Sequence, residues 1–570
     1  MLFNPTNYSE KGFDETFRAL YSKTISFFEN KGKMKLKGDD HERVFYIDFL
    51  DFIKKEKAFA LLLTPSQYGD YTEWNSWKIC KYNELLAFYG LHYWYTWQVS
   101  ILGLGPIWMG QNEAIKRKTA SLLHDGGVFA FGLSEKEHGA DIYSTEMKLT
   151  KLPDGSYRAN GSKYYIGNGN IAALVSVFGR FDENDPEDPK YGDYVFFVVD
   201  SQHPNYECVK NLVNVQSYVA EYRLNDYPIT EEEILSAGRD AWDSSLNTVN
   251  VGKFNLGWAS IGICTHAFYE AINHASHRRL YGMYVTEFSH IKQFFVDAYI
   301  RLVSMKLFAS RGIDYMRVAS PEDRRYLLFN PLVKMKVTTQ GEEVINLLWE
   351  IIAAKGFEMD TYFEMATRDI RALPKLEGTV HVNMALVIKF MANYFFNPAI
   401  FEPVPKMTDN GNDDFLFNQG KASGLASIQF HDYNIIYNEY DTPNLTIFKK
   451  QILELRKFLL KSPPTPQQAK DIDFLLIGGE LFTLVVYGQL ILEECKLLKI
   501  DDMVVDQIFD VLIRDFSKFA LQLYSKPSST EEQMQRCLNM IHKPVRNDEQ
   551  FITIWETYVC SLKDVYEMKK

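Results

Sequence analysis

The spacing of apolar side chains changes period twice along this chain. Up to about residue 125 it is helical. Phe45, Phe49 and Phe52 fall on one face over residues 45–63 with Lys54 and Lys55 outward, before a turn around Pro65. Residues 113–123 form a second amphipathic stretch, closed by His124-Asp125-Gly126-Gly127. From about 129 to 235 the period is two. Residues 146–152 alternate, Pro153-Asp154-Gly155 reads as a turn, 157–160 resume, and Asn160-Gly161 reads as a second turn. Tyr164-Tyr165-Ile166, 173–181 and 194–199 continue the strands, with 182–193 as a surface loop. Short strands at this density predict an all-β unit, a small barrel or sandwich.

Helical spacing returns at about Lys253. Ile291, Phe294, Phe295, Ala298, Leu302, Met305 and Ala309 mark one face of a long helix. Asn330-Pro331 reads as an N-cap and first-turn proline, and Lys355-Gly356 as the end of that helix. Val380, Val382, Met384, Leu386, Val387, Ile388, Phe390, Met391, Phe395 and Phe396 leave almost no polar face, which predicts an internal helix. Residues 401–421 read as a linker around Pro403, Pro405 and the polar run 409–414, and Ser462-Pro463-Pro464-Thr465-Pro466 as a second boundary. Helices are expected over 474–498, 503–524, 531–541 and 551–565, an additional C-terminal bundle. The expected fold is mainly α with a central β-barrel domain. Its division is 1–128 helical, 129–240 β, 241–400 a four-helix bundle and 401–570 a helical extension.

Bulk properties narrow the function classes. A chain of 570 residues is too long for one core. A net charge of −12 without a basic block speaks against nucleic-acid binding. The 15% aromatic content predicts bulky apolar pockets. Cys80, Cys208, Cys264, Cys495, Cys537 and Cys560 are scattered without a C-x-x-C pair and read as thiols of a cytoplasmic protein. Met-Leu-Phe-Asn-Pro at the start does not read as a signal peptide. Residues 85–112 lack Asp, Glu, Lys and Arg, but Gly90, His92, Gln98, Gly103, Gly105 and Pro106 favour a buried helix followed by a turn over a membrane span. Apolar residues 474–492, with Gly478, Gly479 and Gly488, leave the same two readings open, packed helix or membrane.

Candidate chemistry is sparse. Gly103-Leu104-Gly105-Pro106 with Gly110 is no dinucleotide fingerprint, because no strand leads into it and Pro106 lacks the backbone donor. His274 and His277 sit one turn apart without an acidic ligand at spacing, so no metal site is expected. Arg278-Arg279-Leu280-Tyr281-Gly282 puts two cations at a helix end before a glycine turn, either solvated or reaching a phosphate. Glu377 follows Arg368, Arg371 and the break at Pro374, at the mouth of the apolar helix. A carboxylate there is either a base tuned by its apolar wall or an ordinary helix N-terminal acid.

The order and spacing of four blocks resemble the acyl-CoA dehydrogenase and acyl-CoA oxidase superfamily over roughly Phe45 to Phe396. Phe131-Gly132-Leu133-Ser134-Glu135-Lys136-Glu137-His138-Gly139-Ala140-Asp141 resembles the family's T-E-x-x-x-G-S-D loop. Asn160-Gly161-Ser162-Lys163-Tyr164-Tyr165-Ile166-Gly167-Asn168-Gly169 resembles N-G-x-K-x-W-I-T-N-G. Arg278 to Gly282 resembles R-x-x-F-G, and Arg368-Asp369 with Glu377-Gly378-Thr379 resembles R-D followed by E-G-T.

The resemblance implies FAD, an acyl-CoA thioester and α,β-dehydrogenation to a 2-enoyl-CoA, with Glu377 as base and flavin N5 as hydride acceptor. It assigns FAD to Phe131, Leu133, Ser134, Tyr165, Ile166, Gly167, Arg278, Tyr281, Ser289, Ala353, Ala354, Thr379 and His381. Ala140, Lys253 and Gly378 are assigned to substrate. A rival base position used by some relatives is Gly252 here, and the family arginine beside it is Lys253. Further departures are Ala140 for Ser, Gly167 for a Thr whose hydroxyl approaches N5, Ala353-Ala354 for Gly-Gly and Ser289 for Gln. Implied partners are an electron-transfer flavoprotein and further copies of the chain, as dimer or tetramer. The alternatives are an oxidase using O₂, a partner subunit that keeps the fold without catalysis, and a membrane-associated helical protein.

Overall fold

A computed structural model of the chain describes residues 1–182, 187–406 and 413–569. Parts of two expected loops, 183–186 and the polar run 409–412, lie outside the described residues. Two compact units emerge, each assembled from separate stretches. The sheet unit comprises Ser9–Asn255, Thr408–Ser423 and Met568–Lys570; the helical unit comprises Met1–Tyr8, Leu256–Met407 and Gly424–Glu567.

In the sheet unit, helices α1 (Glu15–Lys31), α2 (Lys33–His41), α3 (Ile47–Glu56), α4 (Ala58–Leu63), α5 (Ser76–Tyr89), α6 (Leu91–Met109) and α7 (Glu113–His124) precede the strands. Lys57, at φ 54°, splits the helical stretch expected over 45–63 into α3 and α4. The strands are β1 (Phe129–Gly132), β2 (Lys148–Lys151), β3 (Tyr157–Gly167), β4 (Leu174–Phe181), β5 (Tyr194–Val199), β6 (Tyr206–Asn211), β7 (Val219–Ile229) and β8 (Ile234–Ala237). They pair in the order β6-β7-β3-β2-β4-β5-β8, with β1 parallel on β4. The sheet is therefore mixed and its path ends at β6 and β8. No pairing among the described residues closes it into a barrel. Asn160-Gly161 is not a turn either. β3 runs through it, and a bulge between Ala159 and Gly161, with Gly161 at φ 145°, absorbs the glycine.

The core of this unit lies between α6 and the sheet, around Val99, Ala130, Val175, Val177, Phe197 and Tyr222. Gly103 of α6 serves that packing. A Cβ on Gly103 would come 2.6 Å from the Ala130 carbonyl oxygen and 2.7 Å from its nitrogen. α6 accordingly continues through Gly103 and Pro106 to Met109, where the sequence suggested a turn.

A 40-residue helix, α8 (Gly238–His277), starts well before Lys253, where helical spacing becomes visible. Its first turns carry buried Ser244, Ser245, Thr248, Asn250 and Asn255, so polarity does not mark the exposed face. Asn255 Nδ2 donates to Gln98 Oε1 at 2.7 Å and its Oδ1 accepts from Asn83 at 2.6 Å.

In the helical unit a hairpin of β9 (Arg279–Leu280) and β10 (Met283–Tyr284) follows α8. Then come α9 (Ser289–Arg317), α10 (Tyr326–Ile352), α11 (Tyr362–Asp369), α12 (Val380–Val387), α13 (Met391–Phe396), α14 (Asn434–Tyr437), α15 (Pro443–Lys461), α16 (Ile472–Leu498), α17 (Asp502–Tyr524), α18 (Glu531–Met540) and α19 (Asp548–Ile554). Four expectations need correction. α10 begins at Tyr326, so Pro331 lies inside it and Asn330 is not a cap. Residues 380–396 are α12, a 3₁₀ turn and α13, with His381, Val382 and Phe396 exposed. α15, which has Pro443 in its first turn, has no counterpart among the expected helices. The last helix ends at Ile554 in a π turn over Trp555–Val559.

α16 is the only described helix long and apolar enough to cross a membrane, with mean hydropathy 1.8. Yet 72% of that window is buried, against α9, α12 and α17. Gly479 admits Met384 of α12 and Gly488 admits the Tyr437 hydroxyl, so these glycines serve close packing.

Candidate active site

Glu377 sits on a turn that its neighbours fasten. Glu377 and Gly378 take φ values of 52° and 83°, two consecutive left-handed residues. For Glu this conformation is costly, and it persists where surrounding contacts impose it. Lys334 of α10 imposes it: its buried ammonium donates to the Pro374 carbonyl at 2.7 Å and to the Gly378 carbonyl. Asn383 of α12 also donates to the Gly378 and Thr379 carbonyls, at 3.1 and 3.0 Å. Glu377 is half-buried with Oε2 shielded from solvent. Thr379 Oγ1 and His381 Nδ1, 3.3 Å apart, lie at the open side. Of the two arginines preceding Glu377, Arg368 pairs with Asp369, and Arg371 with Asn346 and Glu342 of α10.

The other candidates of the helical unit lie around the end of α8. Arg278 leads into the hairpin and its carbonyl accepts from Val285 at 3.0 Å. Tyr281 (φ 54°) and Gly282 (φ 81°) form the two-residue tip, a geometry that needs positive φ at both positions. Tyr281 is 96% exposed. Ser289 opens α9, exposed; Ala353, at φ 54°, and Ala354 are exposed just past α10. Burial, Arg278 and Lys355 together hold His274 below its ordinary value, which places the end of α8 in the field of the 355 turn. His277 Nδ1 lies 2.8 Å from the Asn273 carbonyl oxygen.

The sheet unit brings the other two blocks together. Tyr164 N–H donates to the Ser134 carbonyl at 2.9 Å, and Lys163 Nζ to the Leu133 carbonyl at 3.0 Å, so the loop after β1 lies along β3. Beneath them is a buried ion pair. Lys163 Nζ is 2.7 Å from Glu135 Oε1, and Glu135 also accepts from Thr145 Oγ1 at 2.5 Å and from the N–H groups of Glu146 and Met147. Burial raises the Glu135 carboxyl, but Lys163 and these donors outweigh it and hold it below the ordinary range. Burial brings Lys163 down to about 8 despite Glu135. A bulge between Lys163 and Ile166 puts Tyr165 at φ 65° and turns it outward, 64% exposed. Phe131, Ile166 and Gly167 are buried, and Leu133 and Ser134 half-buried. Ala140 is exposed beyond the loop, and Lys253 is half-buried on α8 beside Gly252, whose carbonyl accepts from Gln98. Glu135, His138 and Glu146 are the only described group spaced for a metal ion, with Glu135 already committed to Lys163.

Four candidate residues, Tyr165, Tyr281, Ala353 and Glu377, thus share positive φ, the strain that collects at functional positions. Lys334 was missed from sequence. Its signal was a charge inside the apolar run Leu332-Val333-Lys334-Met335.

Residues 130–216 match the acyl-CoA dehydrogenase middle domain, and residues 240–392 the acyl-CoA dehydrogenase C-terminal domain. The short-chain specific acyl-CoA dehydrogenase of Megasphaera elsdenii is 24% identical over 284 residues, 49% of this chain and 72% of that protein. The mitochondrial very long-chain specific acyl-CoA dehydrogenase of Rattus norvegicus is 24% identical over 386 residues, 65% of this chain but only 56% of that protein. An acyl-CoA dehydrogenase of Bacillus anthracis complexed with FAD shares the fold at TM-score 0.72 and 16% identity, over 97% of this chain and 96% of that one. The stretch that holds all four blocks thus carries two consecutive domains of the acyl-CoA dehydrogenase family, the middle and the C-terminal one.

Proposed function

We propose that the chain is a FAD-dependent acyl-CoA dehydrogenase that forms a 2-enoyl-CoA, with Glu377 as the base. The observation that carries this reading is the Glu377 turn: a carboxylate in strained backbone, fastened by Lys334, at the family's base position. The donor set suits FAD. Ser134 and Thr379 offer hydroxyls and Arg278 an exposed cation for a pyrophosphate. Leu133, Tyr165, Ile166 and Gly167 are assigned to the ring, with Phe131, Tyr281, Ser289, Ala353, Ala354 and His381 around the rest. Bound FAD would supply the hydride acceptor.

Glu377 takes the α-proton of the thioester, and its own backbone N–H is the protein's donor to the developing enolate oxygen. Lys334 keeps that carboxylate and amide in one place, so little reorganisation accompanies proton transfer. Ala140, Gly378 and Lys253 are assigned to the acyl-CoA, Lys253 as a point charge. Leu280, Tyr281, Met283, Tyr284, Phe357 and Met359 expose apolar surface, which a second copy of the chain would cover.

The test begins with colour. Purified protein should carry bound flavin, and a colourless protein that gains no flavin absorbance with FAD would leave only the fold-keeping subunit. Glu377→Gln should retain FAD and lose turnover by about 10²- to 10⁴-fold. Unchanged turnover would remove Glu377 as base. Reduced enzyme should pass electrons to an electron-transfer flavoprotein, whereas rapid peroxide formation in air would make it an oxidase.

A further inference from the structure

Position 167 has no side chain because α6 occupies its place. A Cβ on Gly167 would come 2.7 Å from Tyr95 Cε1 and Val99 Cγ2, and 2.9 Å from the Tyr95 hydroxyl oxygen. Any larger residue there requires Tyr95 and Val99 to move. The next residue on each element locks the pair. Thr96 Oγ1 donates to Asn168 Oδ1 at 3.1 Å, and Asn168 Nδ2 donates to the carbonyls of Thr96 and Phe129 at 3.0 and 2.9 Å. Thr96 and Asn168 are buried, and Asn168 takes φ 59°, which asparagine tolerates. Tyr95 is half-buried against the sheet core, so its ring is held while part of it reaches the surface of the unit.

We propose that Tyr95 supplies, from α6, the hydroxyl that residue 167 lacks, and that it is the hydrogen-bond donor offered to flavin at the end of β3. The inference rests on the FAD reading above. A hydroxyl on residue 167 would stand one bond beyond its Cβ, and the Tyr95 oxygen lies 2.9 Å from that Cβ. One hydroxyl has been exchanged for another on a different element, and the glycine is the condition for the exchange. The substitute is chemically distinct. A phenol, with an ordinary pKa of about 10, is a more acidic donor than an aliphatic alcohol, and an aromatic side chain has few torsions to order.

The experiment uses the full chain with FAD as the probe. Tyr95→Phe should weaken FAD binding roughly 3- to 10-fold, the effect of one hydrogen bond, and shift the flavin absorption bands and midpoint potential. The exchange variant Tyr95→Ala with Gly167→Thr should move both back toward the parent. Unchanged affinity, spectrum and potential in Tyr95→Phe would overturn the proposal while leaving the FAD reading intact. A parent protein that takes up no FAD would remove both. A second arm needs no flavin: Gly167→Ala should lower the melting temperature more when Tyr95 is present than in Tyr95→Ala, where only the Val99 contact remains. An equal loss in both backgrounds would show that the two residues do not share the space, and would overturn it too.

Discussion

Lys334 places a buried ammonium against the Pro374 and Gly378 carbonyls, on either side of Glu377. One ammonium thus ties two backbone carbonyls of the segment that carries Glu377. Replacing it by Met keeps the length and removes the donors. Lys334→Met should keep FAD and lose about 10- to 100-fold in turnover, the scale of a small misplacement at a reacting group. Paired flavin absorbance and turnover measurements would check this; loss of flavin would instead make Lys334 a folding residue. The Lys163–Glu135 pair calls for a different prediction. Lys163→Met leaves a buried carboxylate without its cation, and should destabilise the sheet unit by about 3–5 kcal/mol. Adding Glu135→Gln should recover a good part of that, as read from urea midpoints of the single and double variants.

Among the elements, α6 shows how composition misleads. A stretch without charges, broken by glycine and proline, invites a membrane or turn reading, yet Gly103 lets the helix lie directly on β1. In an exposed helix Gly→Ala gains about 1 kcal/mol. Here the new methyl meets Ala130 backbone, which cannot rotate away, so Gly103→Ala should instead cost about 1–3 kcal/mol. Denaturant unfolding gives the sign directly, and a stabilised variant would mean that helix and strand separate readily.

For the whole molecule, charge pairs determine whether residues beyond 424 are an appendage. Arg301 of α9 forms a two-point bond with Asp515 of α17, at 2.7 and 2.8 Å. Arg514 binds Asp297 at 3.0 and 2.7 Å, and Arg311 binds Glu493 of α16 at 2.8 Å. Deleting the extension would leave Asp297, Arg301 and Arg311 without these partners and uncover α9 and α12. A chain ending at 423 should therefore show no cooperative thermal transition for the helical unit. A truncated chain that melts cooperatively within a few degrees of the parent would make the extension a separate domain. The same pairs set an acid limit. Burial would raise Asp515, but Arg301 outweighs it and holds the carboxyl at about 2, below the ordinary 3.8. A depressed carboxyl contributes stability above its unfolded value and loses it as pH falls through the folded one. About 2 kcal/mol should thus disappear between pH 4 and 2. Asp515→Asn should be less stable at pH 7 and lose less over that interval, as followed by denaturant midpoints against pH.

Local pattern alone determined the order of helices, strands and helices, the limits of β5, the start of α7 and the four blocks around Ser134, Gly167, Arg278 and Glu377. Periodicity and turn chemistry act over a few residues and are written in the chain. Tertiary structure decided what depends on partners distant in sequence. Buried polar residues such as Thr248 and Asn250 hid the first turns of α8, because their burial is set by tertiary packing and not by local spacing. Asn160-Gly161 became a bulge because β7 continues opposite it. The ends of the sheet path at β6 and β8 were set by pairing, which periodicity does not encode. At the site, Glu377 could be named from sequence but not weighed. Read alone it is more readily a helix N-terminal acid than a base. Only the tertiary structure shows the turn it sits on, at positive φ and tied by a lysine 43 positions earlier in the chain.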